Sequence, residues 1–293
     1  MLRAGNRAQN RARRARSKQL PTDVNNTQTM DSIRHAGNAS KRTLPAFDPD
    51  WGLFLDIDGT LVDFAARPDG VCVDPALKSI LRLVLEATGG AVALISGRSI
   101  VDIDRILAPL QLPVAGQHGV ERRNAAGDIC VYAMPTARLR SVAKTLERLA
   151  AQSPALLFEN KGATLALHYR RVPGLAPYLI EIMHGLLASL GGGFELLAGN
   201  MVFEIKPGGA NKGTAIAEFM QERPFRGRVP VFIGDDLTDE YGFKLVNSLG
   251  GHSVKVGAGV TAARWRLAGP NAVRAWLGAF ATRPSPVHGP KTA

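Results

Sequence analysis

The sequence predicts an α/β protein: a Rossmann-like, mostly parallel sheet with helical crossovers, into which a smaller αββαββ domain is inserted. Three observations lead there. Apolar runs at Leu53–Leu55, Ala91–Ile95 and Val229–Ile233 alternate with amphipathic helical stretches, as strands buried on both faces do. The alternation breaks near residue 134 and gives way to helix, strand, strand, twice over. It returns after Pro207.

Composition narrows the class. The 293 residues are 45% hydrophobic and 21% charged, and no apolar run approaches the ~20 residues of a membrane span. Cys72 and Cys130 have no metal-type spacing and are expected to serve packing in a reducing, cytoplasmic interior. The net charge of +11 is local. Residues 1–47 hold ten of the 36 Lys and Arg but two of the 25 acids, which leaves 26 against 23 for the rest. The folded part is therefore nearly neutral and a nucleic acid is an unlikely partner. Residues 1–47 are too polar to offset their chain entropy and are expected to form a disordered basic leader.

From residue 48 the elements follow in order. A strand at 52–56 opens the first part of the core, 48–133. Asp74-Pro75 starts a helix that presents Leu77, Ile80, Leu81, Val84 and Leu85 on one face and ends at Gly89-Gly90. Strand 91–95 ends on Ser96-Gly97-Arg98, a helix runs to Leu107, and strand 113–116 opens into Gln117-His118-Gly119. Segments 121–123 and 129–133 read as a hairpin. The inserted domain, 134–206, has helices at 136–151 and 176–190 and strands at 155–160, 163–169, 193–198 and 201–206. The second part of the core, 207–282, has helices at 211–221, 238–246 and 272–280 and strands at 229–233 and 253–256. A Pro-rich tail, 283–293, is expected to be loose.

Four polar signatures stand at strand ends or helix starts: Asp56-x-Asp58-Gly59-Thr60, Ser96-Gly97-Arg98, Lys212, and Gly234-Asp235-Asp236-x-x-Asp239. In an open α/β sheet the carboxyl ends of the strands share one edge, so these segments converge in one crevice. Two carboxylates at i and i+2 point to the same side and call for something positive between them. A phosphate neutralised by a divalent metal and a lysine answers that need. Asp56 is placed to attack phosphorus. Asp58 is placed to protonate the leaving alcohol and then deprotonate water, a task that suits a carboxyl crowded by others. Ser96 and Lys212 would hold the phosphoryl oxygens. Asp235 would complete the metal site, with Asp236 and Asp239 as auxiliary ligands or orienters.

DIDGT, ISGR, NKG and GDDLTD, in this order, resemble the haloacid dehalogenase (HAD) superfamily of phosphatases, and the insert resembles its C2B cap. GQHGVE at 116–121, LFENKGATLALHYR at 157–170 and VGAGVTA at 256–262 further resemble the trehalose-6-phosphate phosphatase family. The resemblance spans about residues 50–280. It implies Mg²⁺, hydrolysis of trehalose 6-phosphate as the last step of trehalose biosynthesis, and a cap that closes over a disaccharide. Residue by residue, it implies that Asp56 is the nucleophile and Asp58 the acid/base. It places the metal on Asp56, the Ile57 carbonyl region or Asp58, and Asp235. Gln117 and His118 would border the sugar, and Glu159, Lys161, His168 and Arg170 would come from the cap. Strand alternation with Val202 and Phe203 puts Glu204 on the cap underside, and Arg98 is a further expected substrate contact.

Blander readings stand beside these. Arg98 can be a surface charge at a helix start, Glu159 and Lys161 a weak surface ion pair, and Arg170 a solvated strand end. Trp265 and Trp276 read as core. An HAD phosphatase for sucrose phosphate or a glycosyl-phosphoglycerate would share the same core. A polyanion-binding protein acting through the basic leader is the alternative of another class. The small-molecule sugar phosphate is the expected partner, without a membrane, and the sequence sets no oligomeric state.

Overall fold

The computed structural model describes residues 44–65, 70–132 and 136–281. The expected leader up to residue 43 and the expected tail at 283–293 lie outside the described residues. Two residues assigned to the leader behave otherwise. Leu44 and Phe47 pack against the core, and Phe47 meets Trp51 edge-on at 5.9 Å. Both are apolar, and the composition of residues 1–47 as a whole concealed them.

Chain order gives strands β1 (Trp51–Leu55), β2 (Val92–Ile95), β3 (Val114–Gly116), β4 (Glu121–Arg123) and β5 (Ile129–Val131), with helices α1 (Pro75–Ala87) and α2 (Ile100–Leu107) between the first three. The inserted unit holds α3 (Ala137–Gln152), β6 (Leu157–Asn160), β7 (Leu165–His168), α4 (Ala176–Leu190), β8 (Phe194–Gly199) and β9 (Val202–Pro207). Then come α5 (Lys212–Phe219), β10 (Val229–Gly234), α6 (Glu240–Ser248), β11 (His252–Val256), β12 (Trp265–Leu267) and α7 (Pro270–Ala281). Among the described residues the larger sheet has the order β12-β11-β10-β1-β2-β3-β4-β5, parallel from β12 to β3. The smaller sheet, β6-β7-β9-β8, is antiparallel throughout.

Strand β12 is absent from the sequence reading. Its three residues, Trp-Arg-Leu, are too few to show a period. Trp265 is half-buried against the core with an indole N–H that lacks a partner, and Trp276 stacks on Trp51. Both cysteines are exposed, which corrects the packing role expected of them. Cys130 lies on the edge strand β5, where neither face is covered.

The larger sheet is covered on both faces, as its apolar strands require. Leu77, Leu81 and Val84 of α1 and Ile103 of α2 belong to the core on one face, and Phe219 of α5 and Phe243 of α6 to that on the other. Asp74 caps α1 by accepting from the Leu77 amide at 2.9 Å. The smaller sheet is covered by α3 and α4 on one face, where Leu165, Leu167, Phe203 and Ile205 point. Its register aligns Glu159, Ala166 and Glu204 across three strands, so these occupy the opposite face. Among the described residues no helix is long and apolar enough to cross a membrane.

Candidate active site

The floor of the site forms where β1 and β10 end side by side. The Asp56 amide donates to the Ile233 carbonyl at 3.0 Å, so the parallel ladder runs on into the first carboxylate. Asp56 is 3% exposed. Lys212, at the first turn of α5, donates to Asp56 Oδ1 at 2.8 Å and to Asp239 Oδ1 at 2.6 Å. Asn211 caps that helix through a reciprocal bond with Thr214, which fixes where the lysine leaves the backbone. Asp239 Oδ2 accepts from the amides of Asp235 and Asp236 at 2.9 and 2.8 Å. Thr60 donates its hydroxyl to Asp235 Oδ1 at 3.2 Å. Gly59 makes this approach possible. Its φ is +81°, and a Cβ there would collide with the Asp235 carboxylate.

These groups repel as well as pair. Burial pushes the Asp56 carboxyl well above its ordinary range; Lys212 opposes the shift, and Asp239 and Asp235 add to it. Burial, then the Asp239 charge, pushes Asp235 up to about 6. Burial disfavours the Lys212 ammonium, but Asp239 and Asp56 outweigh it and raise its pKa. Oxygen atoms of Asp56, Asp235 and Asp239 lie within 4.8 Å of one another. Three carboxylates against one ammonium leave an excess of negative charge in a buried place, and hard oxygen donors suit a hard divalent cation. The cluster thus fits a metal site. Both Asp239 oxygens are already engaged, so Asp239 orients the lysine and the Asp235 turn, and Asp56 and Asp235 are the carboxylates of the cluster that would turn to a cation.

The charge excess sets a pH dependence. A carboxyl whose folded pKa is raised destabilises the folded state once it ionises, so its cost builds as pH rises from the unfolded value to the folded one. In metal-free protein, Asp235→Asn should melt several degrees above the parent at pH 7.5, and the gap should begin to shrink as pH falls below about 6 and close near the ordinary carboxylate value of 3.8. Equal melting temperatures at pH 7.5 would remove this account.

Opposite the floor, Arg98 clamps Asp58 with two bonds, Nε to Oδ2 at 2.6 Å and Nη2 to Oδ1 at 2.8 Å. This corrects the bland reading of Arg98 as a surface charge. It also corrects the expected crowding of Asp58: the crowded carboxyls are Asp56, Asp235 and Asp239. Ser96 is 1% exposed and accepts from the Arg98 amide at 3.2 Å. The Gln117-His118 turn follows β3 with φ of 48° and 58°, a left-handed pair that costs strain at non-glycine residues. The Gln117 amide donates to Arg98 O at 2.8 Å and the His118 amide to Ser96 O at 2.9 Å, so this turn and the Ser96 loop brace each other. Gly97 leaves room for the imidazole: a Cβ there would lie 2.6 Å from His118 Nε2.

The face of the small sheet that carries Glu159 and Glu204 looks onto these loops. His118 Nε2 lies 3.3 Å from Glu204 Oε2. Burial lowers the His118 pKa despite Glu204, so the neutral ring donates to the carboxylate. Lys161 reaches the Gly97 carbonyl at 2.9 Å and Glu204 at 3.4 Å, and His168 pairs with Glu159 at 3.0 Å. Burial alone would raise the Glu204 pKa, but Lys161 and His118 hold it below the ordinary range. Arg170 donates to the Asn200 carbonyl at 3.4 Å, and its guanidinium lies 6.0 Å from the Phe64 ring centre.

Between the two faces is a cavity of about 240 Å³. Asp56, Asp58, Ser96, Arg98, His118, Lys212 and Asp236 line it from one side, and Glu159, Lys161, His168, Arg170 and Glu204 from the other. Asp235 and Asp239 lie beneath the floor. Gln117 is a correction: it is 3% exposed and off the cavity wall, and it serves the turn through its backbone. The sequence reading missed Phe64, Val71 and Asn200 on the wall, which carry no motif. It missed the role of Glu121, which accepts from the Ile100 amide at 2.7 Å at the start of α2.

Comparison with known proteins gives a consistent picture. A family model described as trehalose-phosphatase matches residues 54–271. The trehalose-6-phosphate phosphatase of Escherichia coli K12 is 45% identical over 233 residues, covering 80% of this chain and 87% of that protein. The crystal structure of a trehalose-6-phosphate phosphatase related protein superposes with a TM-score of 0.63 at 27% identity, covering 78% of this chain and 96% of that one. A haloacid dehalogenase-like hydrolase from Bacteroides thetaiotaomicron superposes with a TM-score of 0.56 at 16% identity, covering 78% and 98%, a likeness of fold alone.

Proposed function

The chain belongs to the trehalose-phosphatase family, and from that membership and the site we propose that it hydrolyses trehalose 6-phosphate to trehalose and inorganic phosphate. One observation carries the reading. The Asp56–Lys212 floor and the Glu159–Glu204 row face each other across one cavity, so a phosphate-reactive end and a hydroxyl-reading wall serve the same ligand.

In this reading Asp56 Oδ attacks phosphorus and the bond to the sugar oxygen breaks. Asp58 gives that oxygen its proton. The resulting aspartyl-phosphate on Asp56 is hydrolysed when Asp58 takes a proton from water. Ser96 and Lys212 hold the phosphoryl oxygens while charge spreads over them. The cation is Mg²⁺, held by Asp56 and Asp235, and when bound it offsets phosphoryl charge. Arg98 must release Asp58 before the acid step, and an arriving phosphate is the natural competitor for its guanidinium. We place the enzyme in the cytoplasm, which suits its exposed free thiols and the lack of a membrane-crossing helix among the described residues.

The direct test is phosphate release from a panel of sugar phosphates with Mg²⁺. Trehalose 6-phosphate should be clearly preferred; equal turnover of sucrose phosphate or a glycosyl-phosphoglycerate would overturn the substrate. Lys161→Ala separates reading from chemistry. A lost charge-assisted hydrogen bond costs roughly 1.5–3 kcal/mol, so kcat/KM for the disaccharide phosphate should fall about 10–100-fold. Hydrolysis of p-nitrophenyl phosphate, which has no sugar, should be nearly unchanged. Equal losses on both would remove Lys161 from sugar recognition.

A further inference from the structure

Lys255 is a buried charge that the chemistry above leaves unused. It sits on β11, 6% exposed, in register beside Gly234 at the end of β10. Among the described residues no carboxylate pairs with it. Its ammonium donates to the Asp235 carbonyl and, at 2.8 Å, to the Val256 carbonyl. A buried ammonium satisfied by carbonyls alone is costly, and an apolar residue would serve the strand better. Neighbouring positions Ser253, Val254 and Val256 are buried as well.

We propose that Lys255 is a positioning residue for the cation site: it holds the main chain of Asp235 so that the Asp235 carboxylate points at the cation. The inference rests on the metal-dependent reading above. Asp235 is pinned at three atoms. Its amide donates to Asp239, its Oδ1 accepts from Thr60, and its carbonyl accepts from Lys255. The first two bonds fix the turn from the floor side. The peptide unit that carries this carbonyl is also held through the Asp236 amide, which donates to Asp239 at 2.8 Å; Lys255 braces its carbonyl from the β11 side, and loosening that end lets the Asp235 main chain shift and carry the carboxylate with it. Groups that orient a metal ligand typically change metal affinity by 10–100-fold when removed.

The test is Mn²⁺ binding to metal-free protein, read from the electron paramagnetic resonance signal of free Mn²⁺. Lys255→Met removes the donors at similar length. It should weaken binding by roughly tenfold or more, while the melting temperature without metal moves little. Lys255→Arg, which keeps charge and donors, should stay near the parent. A Kd for the Met variant within twofold of the parent would overturn the proposal. Should that variant fail to fold, Lys255→Gln must still weaken binding severalfold, and parental affinity there would overturn it equally. A parent that binds no Mn²⁺ would instead bring down the metal-dependent reading itself.

Discussion

Asp56→Asn is expected to reduce turnover of trehalose 6-phosphate by about 10⁴-fold or more, on the scale seen when a nucleophile is removed from a working constellation. The substitution is nearly isosteric and keeps an oxygen for the Lys212 bond at 2.8 Å. It also removes a negative charge that burial, Asp239 and Asp235 all disfavour. The variant should therefore fold, and without metal it should be at least as stable as the parent. Loss of activity with an equal or higher melting temperature assigns the effect to chemistry. Acid quenching with ³²P-labelled substrate sharpens the result: label should stay on parental protein and be missing from the variant. Turnover within tenfold of the parent would exclude Asp56 as nucleophile.

Lys212 explains why such a site is tolerable in the folded chain. Its ammonium lies between two carboxylates, all three groups being 5% exposed or less. Removing the lysine from such a buried cluster costs roughly 3–5 kcal/mol, because both carboxylates are left uncompensated, whereas Asp56→Asn leaves the lysine paired with Asp239. The chain thus carries its own partial neutralisation of the floor. The two remaining negative charges would be offset by a cation, so metal affinity would depend on the same geometry that places Asp56.

Much of this was legible in the sequence, for identifiable reasons. Parallel strands buried on both faces read as apolar runs, so β1, β2 and β10 declared themselves. The carboxyl-end rule then gathered Asp56, Ser96, Lys212 and Asp235 before any contact was known. Register was not legible. That Glu159 and Glu204 share a row depends on which residues of β6, β7 and β9 pair, and alternation within one strand does not specify that. Partner choice was not legible either. Arg98 follows a glycine at a helix start, and nothing in the local pattern says its guanidinium turns 40 residues back to Asp58. Lys255 left a trace: a lysine inside the buried strand Ser253–Val256 breaks the apolar run. That signal marks an anomaly without naming the carbonyl it serves.

Asp58→Asn should divide the two half-reactions. With trehalose 6-phosphate the leaving alcohol is a poor leaving group and needs a proton. Loss of the acid should slow phosphorylation of Asp56, and general acid–base groups typically contribute 10²–10⁴-fold. With p-nitrophenyl phosphate the phenolate leaves without help, so phosphorylation should stay fast. Hydrolysis of the aspartyl-phosphate still needs a base and should be slow for both substrates. The expected record is a burst of p-nitrophenolate close to one per active site, then a slow steady rate. The parent should show a smaller burst or none. Arg98→Gln provides the contrast: it frees Asp58 from the clamp without removing the carboxylate, so it should show no such burst. If Asp58→Asn slows p-nitrophenolate release without a burst, the residue is not the base for the second step, and the clamp by Arg98 holds a carboxylate of structural use only.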